Sequence, residues 1–143
     1  MVERALNNVP LPVYGDGKNV RDWLYAKDHC RAVDMIVRSG KIGEIYNIGG
    51  NSEMSNIEVV KTILDILGKP DSLITYVKDR PGHDRRYAIN SEKLQNQLGW
   101  KPETNFSEGI QKTIKWYCDN PEWVERIRTG EYRKYKCEVQ KDV

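Results

Sequence analysis

Residues 55–77 read SNIEVVKTILDILGKPDSLITYV and contain a helix start, a helix stop and a strand in immediate succession. Ser55 and Glu58 have the spacing of a capping box, in which each side chain bonds the other residue's backbone amide. Apolar residues then recur at the spacing of one helix face until a glycine ends the helix. The β-branched and aromatic run Leu73–Val77 follows as a strand. The stretch therefore predicts helix Asn56–Leu67 followed by a strand, which is typical of an α/β fold.

Outward from this unit, the same signals predict five more helices and three more strands. The further helices are Val2–Asn8, about Lys27–Arg38, a short one capped by Asn90 or Ser91 and ending at Leu98, about Ser107–Asp119, and Pro121–Arg128. The further strands are Leu11–Tyr14, Asp22–Tyr25 and Ile45–Ile48. The predicted fold class is α/β, helix-rich with few short strands. We expect one domain over residues 1–133 and a polar tail over residues 134–143.

Composition and charge exclude several classes of protein. The chain has 143 residues, and 23 Lys and Arg against 21 Asp and Glu give a net charge of +2. Bulk charge therefore does not favour nucleic acid as a partner. No apolar run approaches the ~20 residues that span a bilayer, so no membrane partner is expected. The start of the sequence has Glu3 and Arg4 where a secretory signal would be apolar. Three widely spaced cysteines favour reduced thiols, so the expected location is cytoplasmic.

Residues 79–86, Asp-Arg-Pro-Gly-His-Asp-Arg-Arg, place three arginines and one of the two histidines around a Pro-Gly turn. Arginine binds phosphate through a planar fork that stays charged. Arg80 and His83 can point at one place, and Asp79 can orient the forks. The segment predicts an oxyanion site for a phosphate or diphosphate. A solvated charged loop is the alternative, and the residues alone leave it open.

Other candidate binding residues lie outside this loop. Arg21 follows the glycine turn at residues 15–17 and offers a second cation, or is a surface arginine at a strand start. The run Pro10–Gly15 is stiff and aromatic, and it could form a flat wall for a base or be an ordinary proline-rich connection. Asn56, second in the capping box, has a free amide that faces either a cleft or solvent.

The sequence carries no recognisable catalytic motif. Gly15-Asp16-Gly17 lacks the third glycine of the dinucleotide fingerprint and precedes a strand, so it is not such a motif. The Tyr14/Lys18 spacing needs a helix that the two glycines disfavour. No metal-ligand spacing occurs. Local chemistry therefore predicts anion binding with no catalytic residue and no metal site.

Several motifs together closely resemble a known family. They are residues 10–15 (PLPVYG), 21–25 (RDWLY), 46–50 (YNIGG), 79–88 (DRPGHDRRYA) and 98–100 (LGW). In order and spacing they resemble the C-terminal part of the dTDP-glucose 4,6-dehydratases, which are extended short-chain dehydrogenase/reductases. The resemblance covers nearly all of residues 3–133, and the arginine-rich run is its most specific motif.

The resemblance implies a lyase that oxidises a dTDP-sugar at C4 with bound NAD⁺, eliminates water across C5–C6 and returns the hydride to C6, for deoxysugar biosynthesis. Its C-terminal part holds the nucleotide diphosphate. By matching position, some residues of this chain would pack against the base and ribose, some would neutralise the diphosphate, and some would form hydrogen bonds beside it. The implied substrate-binding residues are Pro12, Val13, Tyr14, Arg21, Asn56, Asp79, Arg80, His83 and Tyr132.

The chain also departs from the family pattern. The family's glycine-rich NAD loop, its helical Tyr-x-x-x-Lys pair, its Thr and its Asp-Glu pair have no counterpart here. We therefore expect a fragment that lacks the Rossmann domain, the NAD site and the catalytic half, and that is inactive alone. Residues 22–50 would pack on the missing domain. Trp23, Leu24, Tyr46 and Ile48 would then be uncovered, and we expect a homo-oligomer, with swapping as one form.

Two alternatives stay open beside the dehydratase. The chain could belong to an epimerase or decarboxylase of the same superfamily that acts on another nucleotide sugar. It could also be a binding or assembly module without catalysis.

Overall fold

The computed structural model describes residues 1–133, and the predicted polar tail lies outside them. Six helices and four short strands confirm the predicted helix-rich α/β class among these residues. The helices are α1 (Val2–Leu6), α2 (Ala26–Ser39), α3 (Asn56–Leu67), α4 (Glu92–Leu98), α5 (Phe106–Asp119) and α6 (Pro121–Arg128). The strands are β1 (Leu11–Tyr14), β2 (Val20–Asp22), β3 (Glu53–Ser55) and β4 (Ile74–Val77), and one 3₁₀ turn spans Asp71–Leu73.

The larger core lies between α3 and the parallel pair β1–β4. Leu11 pairs with Ile74 at the start of the register and Tyr14 with Val77 at its end. Alternate residues of β1 point inward, so that Leu11 and Val13 are buried beside Leu64 and other apolar residues of α3. The capping box predicted for α3 is confirmed: Glu58 Oε2 accepts from the Ser55 amide at 2.8 Å, and the Glu58 amide donates to Ser55 Oγ at 3.4 Å.

A second cluster joins α2 to α4 through Trp100. The Trp100 side chain is buried with Ala32 and Leu94, and its indole donates to the Asp28 carbonyl at 3.2 Å. The buried Asp28 carboxylate accepts the amides of Glu103 and Thr104 at 3.2 and 2.8 Å. Because a buried carboxylate must be paired, this contact fixes the chain between α4 and α5.

Two strand predictions are wrong. The predicted strand Asp22–Tyr25 is instead Val20–Asp22, paired antiparallel with the unpredicted β3. Pairing stops at Asp22 because its carboxylate accepts the amides of Gly50 and Ser52, both at 2.8 Å, and turns the chain. The predicted strand Ile45–Ile48 has no strand beside it within residues 1–133, and side chains from it pack on the Trp100 cluster. In both places the aromatic and β-branched residues serve packing, not pairing.

The helix predictions are confirmed with small shifts of their ends. The first helix is shorter than predicted and ends at Leu6. The long helix near the C-terminus begins one residue earlier, at Phe106, because the Asn105 side chain caps it. On α2, Ala32 is buried, whereas Val37 is 79% exposed. None of the helices within residues 1–133 is long and apolar enough to cross a bilayer.

Candidate functional site

The candidate site lies where β1 and β4 end. Because the two strands are parallel, the segments that follow them leave the same edge of the pair. The Gly15 amide, just after β1, donates to the Val77 carbonyl of β4 at 2.9 Å. The glycine turn at residues 15–17 and the arginine loop, residues 79–86, are therefore neighbours.

The turn requires glycine for space as well as for backbone conformation. Gly15 has φ +57°, and a Cβ there would lie 2.8 Å from Asp79 Oδ2. Gly17 has φ +71°, and a Cβ there would lie 2.7 Å from a methyl carbon of Val13. The turn packs against its own core and leads into β2, not into a helix. A dinucleotide phosphate loop, by contrast, opens a helix whose N-terminus faces the phosphate.

Two ion pairs fasten the C-terminal end of the arginine loop. Arg85 donates to both carboxylate oxygens of Asp16, at 2.8 and 3.1 Å. Arg86 donates to both carboxylate oxygens of Glu53, at 2.6 and 2.8 Å. The hydrogen bond from Arg85 lowers the pKa of Asp16 from 3.8 to about 2. These two arginines hold the loop on the turn and on β3.

The predicted cation Arg21 lies against the same loop. Its two Nη atoms donate to the carbonyls of Val20 and Asp84, at 2.6 and 3.1 Å. Its guanidinium carbon stands 4.6 Å from the centre of the Tyr87 ring. This stacking orients Arg21, and because a guanidinium has five N–H donors, others remain for an anion.

Asn19 is a site residue that the sequence analysis missed. It is 2% exposed, and its side-chain amide donates to the Asp84 carbonyl at 3.1 Å. Its backbone carbonyl accepts from the backbone amide of Asn56 at 2.9 Å. Asn19 thus ties the arginine loop to the start of α3. Its position two residues after the glycine turn was the only sequence signal. The supporting residues Asp16, Glu53 and Tyr87 were likewise not assigned a role.

His83 and Asp79 form a close pair at the other end of the loop. His83 Nδ1 lies 2.6 Å from Asp79 Oδ1, and the imidazole is 6% exposed. The His83 hydrogen bond is the main reason that the pKa of Asp79 is lowered. The Arg80 amide donates to the same Oδ1 at 2.9 Å. Within residues 1–133 the exposed Arg80 guanidinium makes no hydrogen bond or ion pair, so it is available to an anion.

An apolar cavity of about 440 Å³ opens beside β1. Four of the predicted residues line it together with Trp23: Pro12, Val13, Tyr14 and Asn56. Tyr14 also reaches the arginine loop, because its ring meets the edge of His83 with centres 6.1 Å apart. The cavity offers flat apolar walls and one amide, the surroundings that a heterocyclic base requires.

Tyr132 is not brought to this cluster by any recorded contact. Its hydroxyl accepts from Arg133 at 3.3 Å, and no hydrogen bond or ring contact within residues 1–133 joins it to the arginine loop. Its role stays a prediction. In the described part of the chain, no three His, Cys, Asp or Glu side chains come together to hold a metal ion.

Comparison with known proteins supports the resemblance found in the motifs. The model of the GDP-mannose 4,6 dehydratase family matches residues 1–113. A dTDP-glucose 4,6-dehydratase from Xanthomonas campestris is 51% identical over 142 residues, which cover 93% of this chain and 40% of the relative. The chain thus spans about 40% of the length of the curated relatives that it matches.

Solved structures agree. The structure of dTDP-glucose 4,6-dehydratase from Bacillus anthracis in complex with NAD is 53% identical, with a TM-score of 0.80 over 85% of this chain and 39% of that one. The Streptomyces venezuelae dTDP-glucose 4,6-dehydratase with NAD and TYD bound is 42% identical, with a TM-score of 0.82 over 85% of this chain and 38% of that one. The similarity fits the C-terminal part of these enzymes. The chain therefore belongs to the GDP-mannose 4,6 dehydratase family, and within it resembles the dTDP-glucose 4,6-dehydratases.

Proposed function

We propose that the chain is the nucleotide-sugar-binding part of a dTDP-glucose 4,6-dehydratase and that the arginine loop binds the diphosphate. The observation that carries the proposal is that the Arg80 guanidinium, on the same loop as His83 and near an aromatic-walled cavity, is unpaired within residues 1–133. A diphosphate needs charged forks and donors, and a base needs flat apolar walls. The Streptomyces venezuelae relative, solved with TYD bound, supports this ligand class.

Each predicted residue has a role in this proposal. Pro12, Val13 and Tyr14 pack against the base and ribose. Arg80 on the loop and Arg21 on β2 neutralise the diphosphate. Asn56 and His83 donate hydrogen bonds beside it, and Tyr132 approaches the diphosphate from the segment after α6. Asp79 acts on this site through His83 and is not in contact with the ligand.

We also propose that residues 22–50 pack on a nucleotide-binding domain that holds NAD. Val37, Ile42 and Ile45 on this segment are 79%, 100% and 80% exposed, which is unusual for neighbouring aliphatic side chains. The motifs that bind NAD and perform acid-base chemistry in the family have no counterpart in the sequence. The 143-residue chain alone should therefore bind a dTDP-sugar without dehydrating it.

Calorimetric titration with dTDP tests the binding site. Arg80→Ala should weaken dTDP binding by about 10- to 150-fold, the effect of losing a hydrogen bond between charged groups. Arg38→Ala is the matched control, because Arg38 is an exposed arginine on α2 that pairs with Asp34, far in sequence from the arginine loop. The control should bind dTDP like the unchanged chain.

UDP in place of dTDP separates this function from its alternatives. Tighter binding of UDP would favour an epimerase or decarboxylase acting on another nucleotide sugar. Absence of binding to either nucleotide, or equal binding by the Arg80 variant, would contradict the proposed site and favour an assembly module.

A further inference from the structure

The inference concerns the proton on His83 and rests on the proposed diphosphate site. Asp79 is held through one of its carboxylate oxygens, and the other lies beside the glycine turn. Oδ1 accepts from the Arg80 amide at 2.9 Å and lies 2.6 Å from His83 Nδ1. Oδ2 lies against Gly15, where an added Cβ would be 2.8 Å away. The carboxylate is therefore held by hydrogen bonds within its own loop, beside the glycine turn.

This position determines which nitrogen of His83 carries hydrogen. The pKa of the Asp79 carboxyl is lowered, so the group is ionised and has no proton to donate. A 2.6 Å contact between Nδ1 and an ionised oxygen requires the hydrogen on Nδ1. In the neutral imidazole, Nε2 is then a bare acceptor.

Nε2 is the atom left to face a ligand. It makes no hydrogen bond within residues 1–133, and it is not among the side-chain atoms of that part of the chain that are buried without a partner. It therefore reaches the accessible surface. Phosphate oxygens are acceptors above the second phosphate pKa of about 6. Two acceptors repel each other, so neutral His83 with this tautomer cannot bond a diphosphate.

We propose that Asp79 is a positioning residue that makes His83 take up a proton when the diphosphate binds. Asp79 fixes the tautomer in which Nε2 becomes a donor only as imidazolium, and its charge stabilises that imidazolium. The proton comes from the solvent and forms the N–H bond at Nε2, which then donates to a phosphate oxygen. No other bond changes.

The other charged groups around His83 link the proton to the ligand. Arg80 lies on the same loop, and Arg85 is close enough to Asp79 to interact with its charge. Both cations oppose a third positive charge, although Asp16 offsets Arg85. Tyr14 on β1, whose ring lies nearly perpendicular to the imidazole with centres 6.1 Å apart, adds no charge. A bound diphosphate supplies the negative charge that compensates these cations, so protonation accompanies binding.

Proton uptake can be measured on the full chain by titrating dTDP calorimetrically at pH about 7.5, above the second phosphate pKa of about 6. In MOPS, HEPES and Tris the observed heat changes with the ionisation heat of the buffer. A plot of the observed binding heat against the ionisation heat of the buffer has a slope equal to the number of protons taken up. We expect a slope of ~1 proton per dTDP, because one imidazole is protonated. His83→Asn should remove the slope, and Asp79→Asn should at least halve it, since its neutral amide does not stabilise imidazolium. His29→Asn, on the exposed face of α2, should retain it.

The outcomes separate the two proposals. Binding with a slope of zero, or an unchanged slope in a folded Asp79→Asn variant, overturns the proton proposal and leaves the diphosphate site intact. Absence of binding heat in every buffer overturns both. A long-range ¹H–¹⁵N spectrum of the unchanged chain requires no variant: hydrogen on Nδ1 supports the role of Asp79, and hydrogen on Nε2 of the neutral ring overturns it.

Discussion

Asp16 and Arg85 lie 69 positions apart in sequence, yet two hydrogen bonds of 2.8 and 3.1 Å join their side chains across the edge of β1 and β4. Together with the Arg86–Glu53 pair, this contact divides the arginine loop by role. The arginines at its C-terminal end position the loop, whereas Arg80 at its other end is unpaired within residues 1–133. The three arginines thus differ in role: two of them pair with a carboxylate and position the loop, and in the described residues the third has no such pair.

The Asp16–Arg85 pair should make stability depend on acid pH. The pKa of Asp16 falls from 3.8 to about 2 in the folded chain, so folding favours the ionised carboxylate. Its contribution to stability is present above pH 3.8 and is lost as the pH falls towards about 2. Asp16→Asn should therefore flatten the decline of the urea midpoint over this window relative to the unchanged chain.

The pKa values of Asp79 and Glu58 are also lowered, so these two carboxyls likewise make the chain less stable as the pH falls. The effect of Asp16 must therefore be read from the difference between the variant and the unchanged chain. Asp65→Asn is the matched control, since Asp65 is exposed on α3 and has no ion pair within residues 1–133. Equal pH profiles for Asp16→Asn and the unchanged chain would contradict the prediction.

Local signals explain what the sequence predicted well. The capping box at Ser55, the apolar spacing of α3 and its glycine stop all act within one helix, so each can be recognised without knowing the fold. The motif that contains Arg80 and His83 likewise predicts an anion site from neighbouring residues, and that site stays a prediction. These features depend on neighbours a few residues away.

Long-range contacts explain what the sequence did not predict. The end of β2 depends on Asp22 accepting amides about 30 residues away. The segment Ile45–Ile48 can form a strand only if another strand lies beside it, and within residues 1–133 there is none. The buried Asn19 and the stacking of Arg21 on Tyr87 depend on how the arginine loop returns to β2. No local pattern encodes such contacts.

Two aliphatic residues of α3 should differ sharply in their contribution to stability. Leu64 is fully buried against β1, whereas Ile66 is 39% exposed on the same helix. Leu64→Ala removes core contacts and leaves a cavity, and should lower the free energy of unfolding by about 2–5 kcal/mol. Ile66→Ala should cost less than ~1 kcal/mol.

Urea unfolding followed by circular dichroism measures both changes, with Ile66→Ala as the internal control for helix propensity. If the two variants lose the same free energy, the core described between α3 and β1 is wrong. Only folded molecules hold Asn56, at the start of α3, beside the cavity. Leu64→Ala should therefore also weaken the apparent binding of dTDP at temperatures where a fraction of the molecules is unfolded.

Self-association should depend on the apolar face of α2 and of the segment after it. The residues predicted to be uncovered, Trp23 and Leu24 among them, are half-buried, so they are poor candidates for this contact. The most exposed aliphatic side chains of the region are instead Val37, Ile42 and Ile45. Water contact with such a cluster is unfavourable, and a second copy of the chain can cover it.

Sedimentation velocity over a range of protein concentrations tests this expectation. The unchanged chain should form dimers or larger species as concentration rises, and the double variant Ile42→Lys, Ile45→Lys should stay monomeric, because two buried charges would oppose the contact. Ile127→Lys on α6 is the control, since Ile127 is also exposed but belongs to a different surface. A chain that is monomeric throughout would contradict the expectation. Dissociation by Ile127→Lys alone would instead assign the contact to α6 and leave the apolar face of α2 free to pack on a nucleotide-binding domain.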